Sequence, residues 1–186
     1  MQAQPQGIVG KTLHPPELAA ISQVGLVVKD LDAAMEGFLR TTGLGPWNVY
    51  TTGAPPLRCL YHGQPASYRI RLASASSGPL QVELIQYISG DTIHRDFLAS
   101  GREGLEHLGI YVSDLDQALQ PYLDQGIGIL QSAEGMGLSG DGRYAYLDTE
   151  SLFGTILELI QGSSQPAVPE SIYPRNDPSP SKEKIK

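Results

Sequence analysis

The sequence predicts an α+β fold built from two βαβββ modules that share one core, and three observations carry that prediction. The stretch Ile21-Ser-Gln-Val-Gly-Leu-Val-Val-Lys-Asp-Leu-Asp-Ala-Ala34 returns as Leu105-Glu-His-Leu-Gly-Ile-Tyr-Val-Ser-Asp-Leu-Asp-Gln-Ala118, with Gly, Val, Asp-Leu-Asp and Ala in register. A second pair is closer still: Gln81-Val-Glu-Leu-Ile-Gln86 returns as Ile156-Leu-Glu-Leu-Ile-Gln161. Each copy also opens on an alternating apolar run, which is a strand signal, and passes through Asp-Leu-Asp into helical spacing. Self-similarity of this kind marks units that bury their apolar faces against one another.

Module one occupies 19–89. Asp30 is an N-cap residue, and Leu31, Ala34, Met35, Phe38 and Leu39 recur at spacings of three and four, one apolar stripe that ends at Gly43. Strand-like runs follow at 47–52, 68–73 and 80–88. His107 stands 84 positions after Gln23, whereas Glu158 stands 75 after Glu83. The first copy therefore holds about nine extra residues, which the Gly/Pro-rich stretch 53–65 supplies as loop. A linking segment, 90–104, carries a short helix over 91–99. In module two, 105–162, Asp114 caps a helix over 115–123 that Pro121 kinks or shortens, and strands follow at 128–133, 143–148 and 155–160. Residues 1–18 form an N-terminal extension. The Pro/Ser-rich segment 163–186 holds five prolines and few apolar side chains, and is predicted to be a disordered tail.

Composition excludes several classes of function. With 186 residues, 40% of them hydrophobic and 18% charged, the chain can bury one good core. A formal charge of −7 with no basic cluster argues against a nucleic-acid partner. No apolar run approaches the ~20 residues needed to span a bilayer, so no membrane partner is expected. Cys59 is the single cysteine, which excludes an intrachain disulfide and a Cys-rich zinc site and points to a reducing, cytoplasmic setting.

Strand parity then sorts the polar residues, because side chains two apart share a face. Val24, Leu26 and Val28 oppose Gln23, Gly25 and Val27, while Leu108, Ile110 and Val112 oppose His107, Gly109 and Tyr111. In the last strand of each copy, Val82 and Leu84, or Leu157 and Leu159, take the helix side and leave Glu83 and Glu158 on the other. Gln23, Glu83, His107 and Glu158 thus occupy matching places on the faces turned away from the helices. Gly25 and Gly109, two residues beyond Gln23 and His107, leave room there for a ligand. A Glu within an apolar strand either faces solvent on a wet sheet or is paired or metal-bound, and parity alone leaves both open.

At these residues the sequence resembles the vicinal oxygen chelate superfamily, which includes glyoxalase I, methylmalonyl-CoA epimerase, extradiol dioxygenases and bleomycin-resistance proteins. The resemblance spans 19–162 and rests on the paired segments around Asp-Leu-Asp, on Leu44-Gly-Pro-Trp47 and on the two Glu-Leu-Ile-Gln strand ends. It implies a cupped mixed sheet, formed within one chain or across a homodimer. It also implies a divalent metal held by Gln23, Glu83, His107 and Glu158. A Gln/Glu/His/Glu set is similar to that of zinc-type glyoxalase I and suits Zn²⁺, Mn²⁺, Co²⁺ or Ni²⁺, with iron ranked behind them. The chemistry implied is isomerase, epimerase or lyase action by enolate-type proton transfer on a small oxygenated metabolite, with Glu158 as base or proton shuttle and Glu83 as the second carboxylate. An Fe²⁺ extradiol-type dioxygenase and a non-catalytic small-molecule binding or resistance protein are the alternatives. No Glu occurs within 47–80, where the epimerases place a further one on their middle strands.

The substrate-facing set is less defined. Tyr50, Arg69, Arg71, Tyr144 and Tyr146 lie on middle strands and either meet an anionic or aromatic substrate or form plain cross-strand pairs. His62, in the loop Tyr-His-Gly-Gln-Pro, is a candidate pocket acid or base, and His94 decorates the linking helix. Cys59 has no basic partner nearby in sequence to make it a nucleophile.

Overall fold

In the computed structural model, which describes residues 20–52 and 57–175, the repeated Asp-Leu-Asp segment sets the local geometry of both modules. Module one runs β1 (Gln23–Val27), α1 (Leu31–Thr42), β2 (Trp47–Thr52), β3 (Arg58–Tyr61), β4 (Gln64–Ala66), β5 (Tyr68–Ser77) and β6 (Leu80–Gly90). After α2 (Ile93–Ala99), module two runs β7 (Gly104–Tyr111), α3 (Leu115–Leu123), β8 (Ile129–Met136), β9 (Gly142–Leu147), α4 (Glu150–Phe153) and β10 (Ile156–Gln161), and β11 (Ser171–Tyr173) follows.

The first Asp of each motif caps its helix: Asp30 accepts from Ala33 N at 3.0 Å and Asp114 from Gln117 N at 2.9 Å. The second Asp reaches the sheet. Arg71 of β5 donates to both oxygens of Asp32 at 3.0 and 3.1 Å, and Arg143 of β9 donates to both oxygens of Asp116 at 2.8 Å. These exposed forks orient each helix more than they stabilise it. The Gln that ends each Glu-Leu-Ile-Gln completes the dock, because Gln86 Oε1 accepts from Leu31 N at 3.3 Å and Gln161 Oε1 from Leu115 N at 3.0 Å. Gly43, at φ 74°, closes α1 with its N–H donating to Leu39 O. On the second helix Pro121 is tolerated in the last turn, and α3 ends two residues beyond it.

Two of the three buried clusters lie under these helices. Leu31, Met35, Trp47, Val49 and Leu84 pack in module one, while Leu115, Leu119, Leu147, Leu157 and Leu159 pack in module two. The third fills the opposite face, where Ile93 and Phe97 of α2 meet Ile70, Ile85, Tyr144, Tyr146 and Ile156.

One curled mixed sheet results, in the order β11-β2-β5-β6-β1-β7-β10-β9-β8-β3-β4. Within each module the first and last strands are parallel, and the modules join through antiparallel β1 and β7. The cup thus forms within one chain. Among the described residues no helix is long and apolar enough to cross a membrane.

Two segments depart from the sequence-based expectation. The stretch 53–65 was expected to be loop; its described part instead forms the β3–β4 hairpin, and β3 pairs with β8 at the far edge of module two. The segment from 163 onward was expected to be disordered, but 163–175 crosses to the other edge, where β11 pairs with β2. Low apolar content misled here, because an open edge strand offers backbone hydrogen bonds that do not depend on burying side chains. Side chains hold the segment at two further points: Glu170 accepts from Thr51 N and Oγ1, both at 3.1 Å, and Asp141, between β8 and β9, accepts from Ser163 Oγ at 2.6 Å. The extension 1–18 and the end of the tail, 176–186, lie outside the described residues.

Replacing Asp30 or Asp114 by Ala removes one cap each, and each is expected to cost about 1 kcal/mol in urea unfolding. The double variant is expected to lose the sum within about 0.5 kcal/mol, since the caps share no partner.

Candidate metal-binding and active site

The floor of the cup is the seam between β1 and β7. Gln23 stands opposite Gly109 and Gly25 opposite His107. A Cβ on Gly25 would overlap the His107 imidazole, and a Cβ on Gly109 would stand 2.5 Å from Gln23 Oε1. The two glycines therefore do not open space for a ligand, as parity suggested; they seat the side chains across from them. Glu83 on β6 and Glu158 on β10 flank this pair through the parallel ladders, where Glu83 stands opposite Gly25 and Glu158 opposite Gly109.

All four side chains converge. Gln23, His107 and Glu158 are buried and Glu83 is half-buried. His107 Nε2 lies 3.3 Å from Glu158 Oε2 and 3.8 Å from Glu83 Oε2. Gln23 spends its amide N–H on Gln81 Oε1 at 2.8 Å. That leaves Gln23 Oε1, His107 Nε2 and Glu158 Oε2 buried without a hydrogen-bond partner. Such orphans are rare in a folded protein and demand an explanation. Burial raises the Glu158 carboxyl to about 8, with the Glu83 charge adding to the shift and His107 opposing it. Burial likewise raises Glu83, against the pull of His107. For His107 burial works downward, yet the Glu106 hydrogen bond and the Glu158 and Glu83 charges prevail and lift it to about 9.

Sequence reasoning missed Glu106 and underread His94. Strand parity assigns Glu106 to the helix face, but the β1–β7 register shifts between Gly25 and Leu26, which leaves Glu106 as a bulge residue turned to the same side as His107. Its Oε2 accepts from His94 Nδ1 at 2.7 Å and from His107 Nδ1 at 3.1 Å. Burial would raise this carboxyl, but the two imidazoles hold it at about 2. The only signal in the sequence was a charged residue at a position whose neighbours two apart are apolar.

Above the floor is a cavity of about 700 Å³. Of the residues expected to face substrate, Tyr50, Tyr144 and Tyr146 line it. Arg69, Arg71 and His62 do not. Alternation along β5 sends Tyr68, Ile70 and Leu72 into the cup, which puts Arg69 in solvent and Arg71 on the helix side with Asp32. His62 sits at the β3–β4 turn at φ 47°, its ring 4.2 Å from that of Tyr61. The 162–170 segment supplies part of the wall, including Glu170. Cys59 is buried, and burial pushes its thiol up to about 11.

Oxygen and imidazole donors with unpaired atoms suit a divalent ion. The 3.3 Å between His107 Nε2 and Glu158 Oε2 matches two ligands that each lie about 2.0–2.2 Å from one ion. The Glu106 carboxylate on Nδ1 is the support that metal-binding histidines ordinarily have. The carboxylates do not close round an ion as they stand: among the described residues no three His, Cys, Asp or Glu side chains meet at coordinating distance. Glu83 is the most accessible of the four, its side chain 15% exposed.

Residues 22–146 match the family described as the Glyoxalase/Bleomycin resistance protein/Dioxygenase superfamily. Among solved structures, the chain is similar to the hypothetical protein BH1468 from Bacillus halodurans C-125, at 17% identity over 78% of this chain and 96% of that one, with a TM-score of 0.57. It is similar to methylmalonyl-CoA epimerase from Mycobacterium tuberculosis at 22% identity, covering 76% of this chain and 87% of that one, with a TM-score of 0.56. A variant of Streptomyces coelicolor methylmalonyl-CoA epimerase in complex with 2-nitronate-propionyl-CoA gives 23% identity, 81% and 99% coverage, and a TM-score of 0.58. At these identities the likeness is one of fold. No curated protein sequence matches the chain.

Gly25→Ala is expected to destabilise the protein by about 3 kcal/mol, because the His107 ring has nowhere to retreat. Gly37→Ala, in the middle of α1 with nothing within 4 Å of the added methyl, is the control and is expected to gain about 0.5–1 kcal/mol in the same unfolding measurement.

Proposed function

The chain belongs to the glyoxalase/bleomycin resistance protein/dioxygenase superfamily, and from that premise we propose that it is a divalent-metal-dependent isomerase, epimerase or lyase acting by enolate-type proton transfer on a small oxygenated metabolite. One observation carries the proposal: Gln23 Oε1, His107 Nε2 and Glu158 Oε2 are buried without a hydrogen-bond partner, Gln23, Glu83 and Glu158 line the cavity, and His107 reaches the two carboxylates from beneath it. His107 Nε2 and Glu158 Oε2 stand 3.3 Å apart as an ion pair, and a bound cation would satisfy both of them and Gln23 Oε1 at once.

Gln23, Glu83, His107 and Glu158 would hold the ion. When bound, a divalent cation supplies Lewis acidity toward neighbouring substrate oxygens, which makes a proton α to a carbonyl removable. Glu158 would be the base, since it lines the cavity and its Oε2 is free of any hydrogen-bond donor, so that it could take that proton. Glu83 is the second carboxylate across the floor. Tyr50, Tyr144 and Tyr146 form an aromatic wall that orients the substrate and excludes water. A structural neighbour, methylmalonyl-CoA epimerase, was solved with 2-nitronate-propionyl-CoA, which offers a precedent for proton transfer next to a thioester carbonyl. With no Glu within 47–80, the substrate is expected to differ from theirs.

Metal analysis of protein purified without chelator tests the reading. Wild type is expected to carry close to one divalent ion per chain, and the Glu83→Ala/His107→Ala variant, checked for folding by circular dichroism, is expected to carry none. Equal trace metal in both would sink the enzyme reading in favour of a binding protein. Iron as the dominant ion, together with oxygen uptake on catechols, would favour the dioxygenase.

A further inference from the structure

Glu106 is neither a proposed ligand nor exposed to the cavity, yet it is fully buried between two imidazoles. A carboxylate can only accept, so His94 Nδ1 and His107 Nδ1 both donate to it. Its second oxygen, Oε1, has no partner, so both bonds fall on the single oxygen Oε2. The rings are fixed from other sides as well. Tyr146 stands edge-on to both, with centroids 5.6 Å from His94 and 5.1 Å from His107. The backbone that carries His94 is pinned where Ile93 N donates to Gln131 Oε1 at 3.0 Å and His94 N to Thr92 Oγ1 at 3.4 Å. With both Nδ1 atoms committed, Nε2 is the remaining polar atom on each ring. On His107 it points to Glu83 and Glu158, and His94 lines the cavity. The ring centroids are 6.3 Å apart, close enough for one bound molecule to meet both the floor and His94.

We propose that Glu106 is a positioning residue that holds two imidazoles in the same Nδ1–H form, and that His94 is thereby a second functional imidazole of the site, its Nε2 offered to a hydroxyl of the substrate. The part concerning His107 as a ligand rests on the metal reading above; the shared carboxylate and the role of His94 do not. A substrate for this cavity carries a hydroxyl beside the oxygens that face the floor. Glu106 acts through the two rings and touches no substrate itself.

The decisive measurement is long-range ¹H–¹⁵N spectroscopy of the histidine side chains, with His94→Gln used to assign the rings. In wild type, both rings in their neutral form are expected to keep the remaining proton on Nδ1, the reverse of the preference of free imidazole. Read above pH 9, where His107 has lost its second proton, a neutral ring of either histidine that keeps its proton on Nε2 overturns the proposal and needs no variant. In Glu106→Gln both rings are expected to show mixed forms, and Zn²⁺ affinity, measured by competition with a chromophoric chelator, is expected to fall about 10- to 100-fold. His94→Gln is expected to leave Zn²⁺ affinity unchanged, because His94 is not a ligand. Wild-type tautomers together with wild-type Zn²⁺ affinity in a folded Glu106→Gln would also overturn it. If wild type binds no Zn²⁺, the metal reading fails by itself, and the tautomers still decide the role of Glu106.

Discussion

The antiparallel pairing of β1 with β7 is the constraint on which the rest depends. It sets Gln23 against Gly109 and Gly25 against His107, so each long polar side chain lies over a residue that has none. A slip of one residue in either strand would turn that strand's polar side chain onto the helix face. A slip of two would place Gln23 against Tyr111 and His107 against Val27 or, in the other direction, Gln23 against His107 itself. The same pairing joins the modules inside one chain and places the parallel partners of β1 and β7, with Glu83 and Glu158, on either side of the seam.

Around that seam, the repeated polar residues dock the helices on one face and gather beneath the cavity on the other. Asp30, Asp114, Asp32, Asp116, Gln86 and Gln161 dock the helices, through caps, forks to Arg71 and Arg143, and amide oxygens on the first helical N–H. Individually each contributes on the order of 1 kcal/mol or less. Together they fix how the helices sit, which frees the opposite face of the sheet to carry groups that do nothing for packing. Burying three carboxylates and two histidines there is costly unless they compensate one another. Glu106 is compensated by two imidazoles and is held strongly acidic, whereas Glu83 and Glu158 are undercompensated and raised. The imbalance lies on the side facing the cavity, where a cation would relieve it.

The edges of the cup are closed by segments that have no counterpart in the repeat. The β3–β4 hairpin leaves module one and caps β8, while the 163–175 segment leaves module two and caps β2. Each module thus covers the open edge of the other, and the second of these segments also brings Glu170 and an apolar stretch to the cavity wall. The edges end in short strands, which limits unwanted pairing.

Much of this was legible in the sequence because repetition and period are local properties. Two offsets between copies located eight strands and two helices, and alternation placed Gln23, Glu83, His107 and Glu158 on one face before any contact was known. Alternation applied strictly to β5 would also have excluded Arg69 and Arg71 from the cup. What only the tertiary structure decided depends on partners distant in the chain. A bulge in the β1–β7 ladder turns Glu106 inward, against the parity of its own strand. The 163–175 segment is ordered by a strand edge some 120 residues earlier in the chain, supplied by hydrogen bonds that its composition could not announce. His94 acquires meaning only because the fold brings α2 against that same bulge. Period and polarity therefore determined which residues share a face, and the register between strands decided which of them meet.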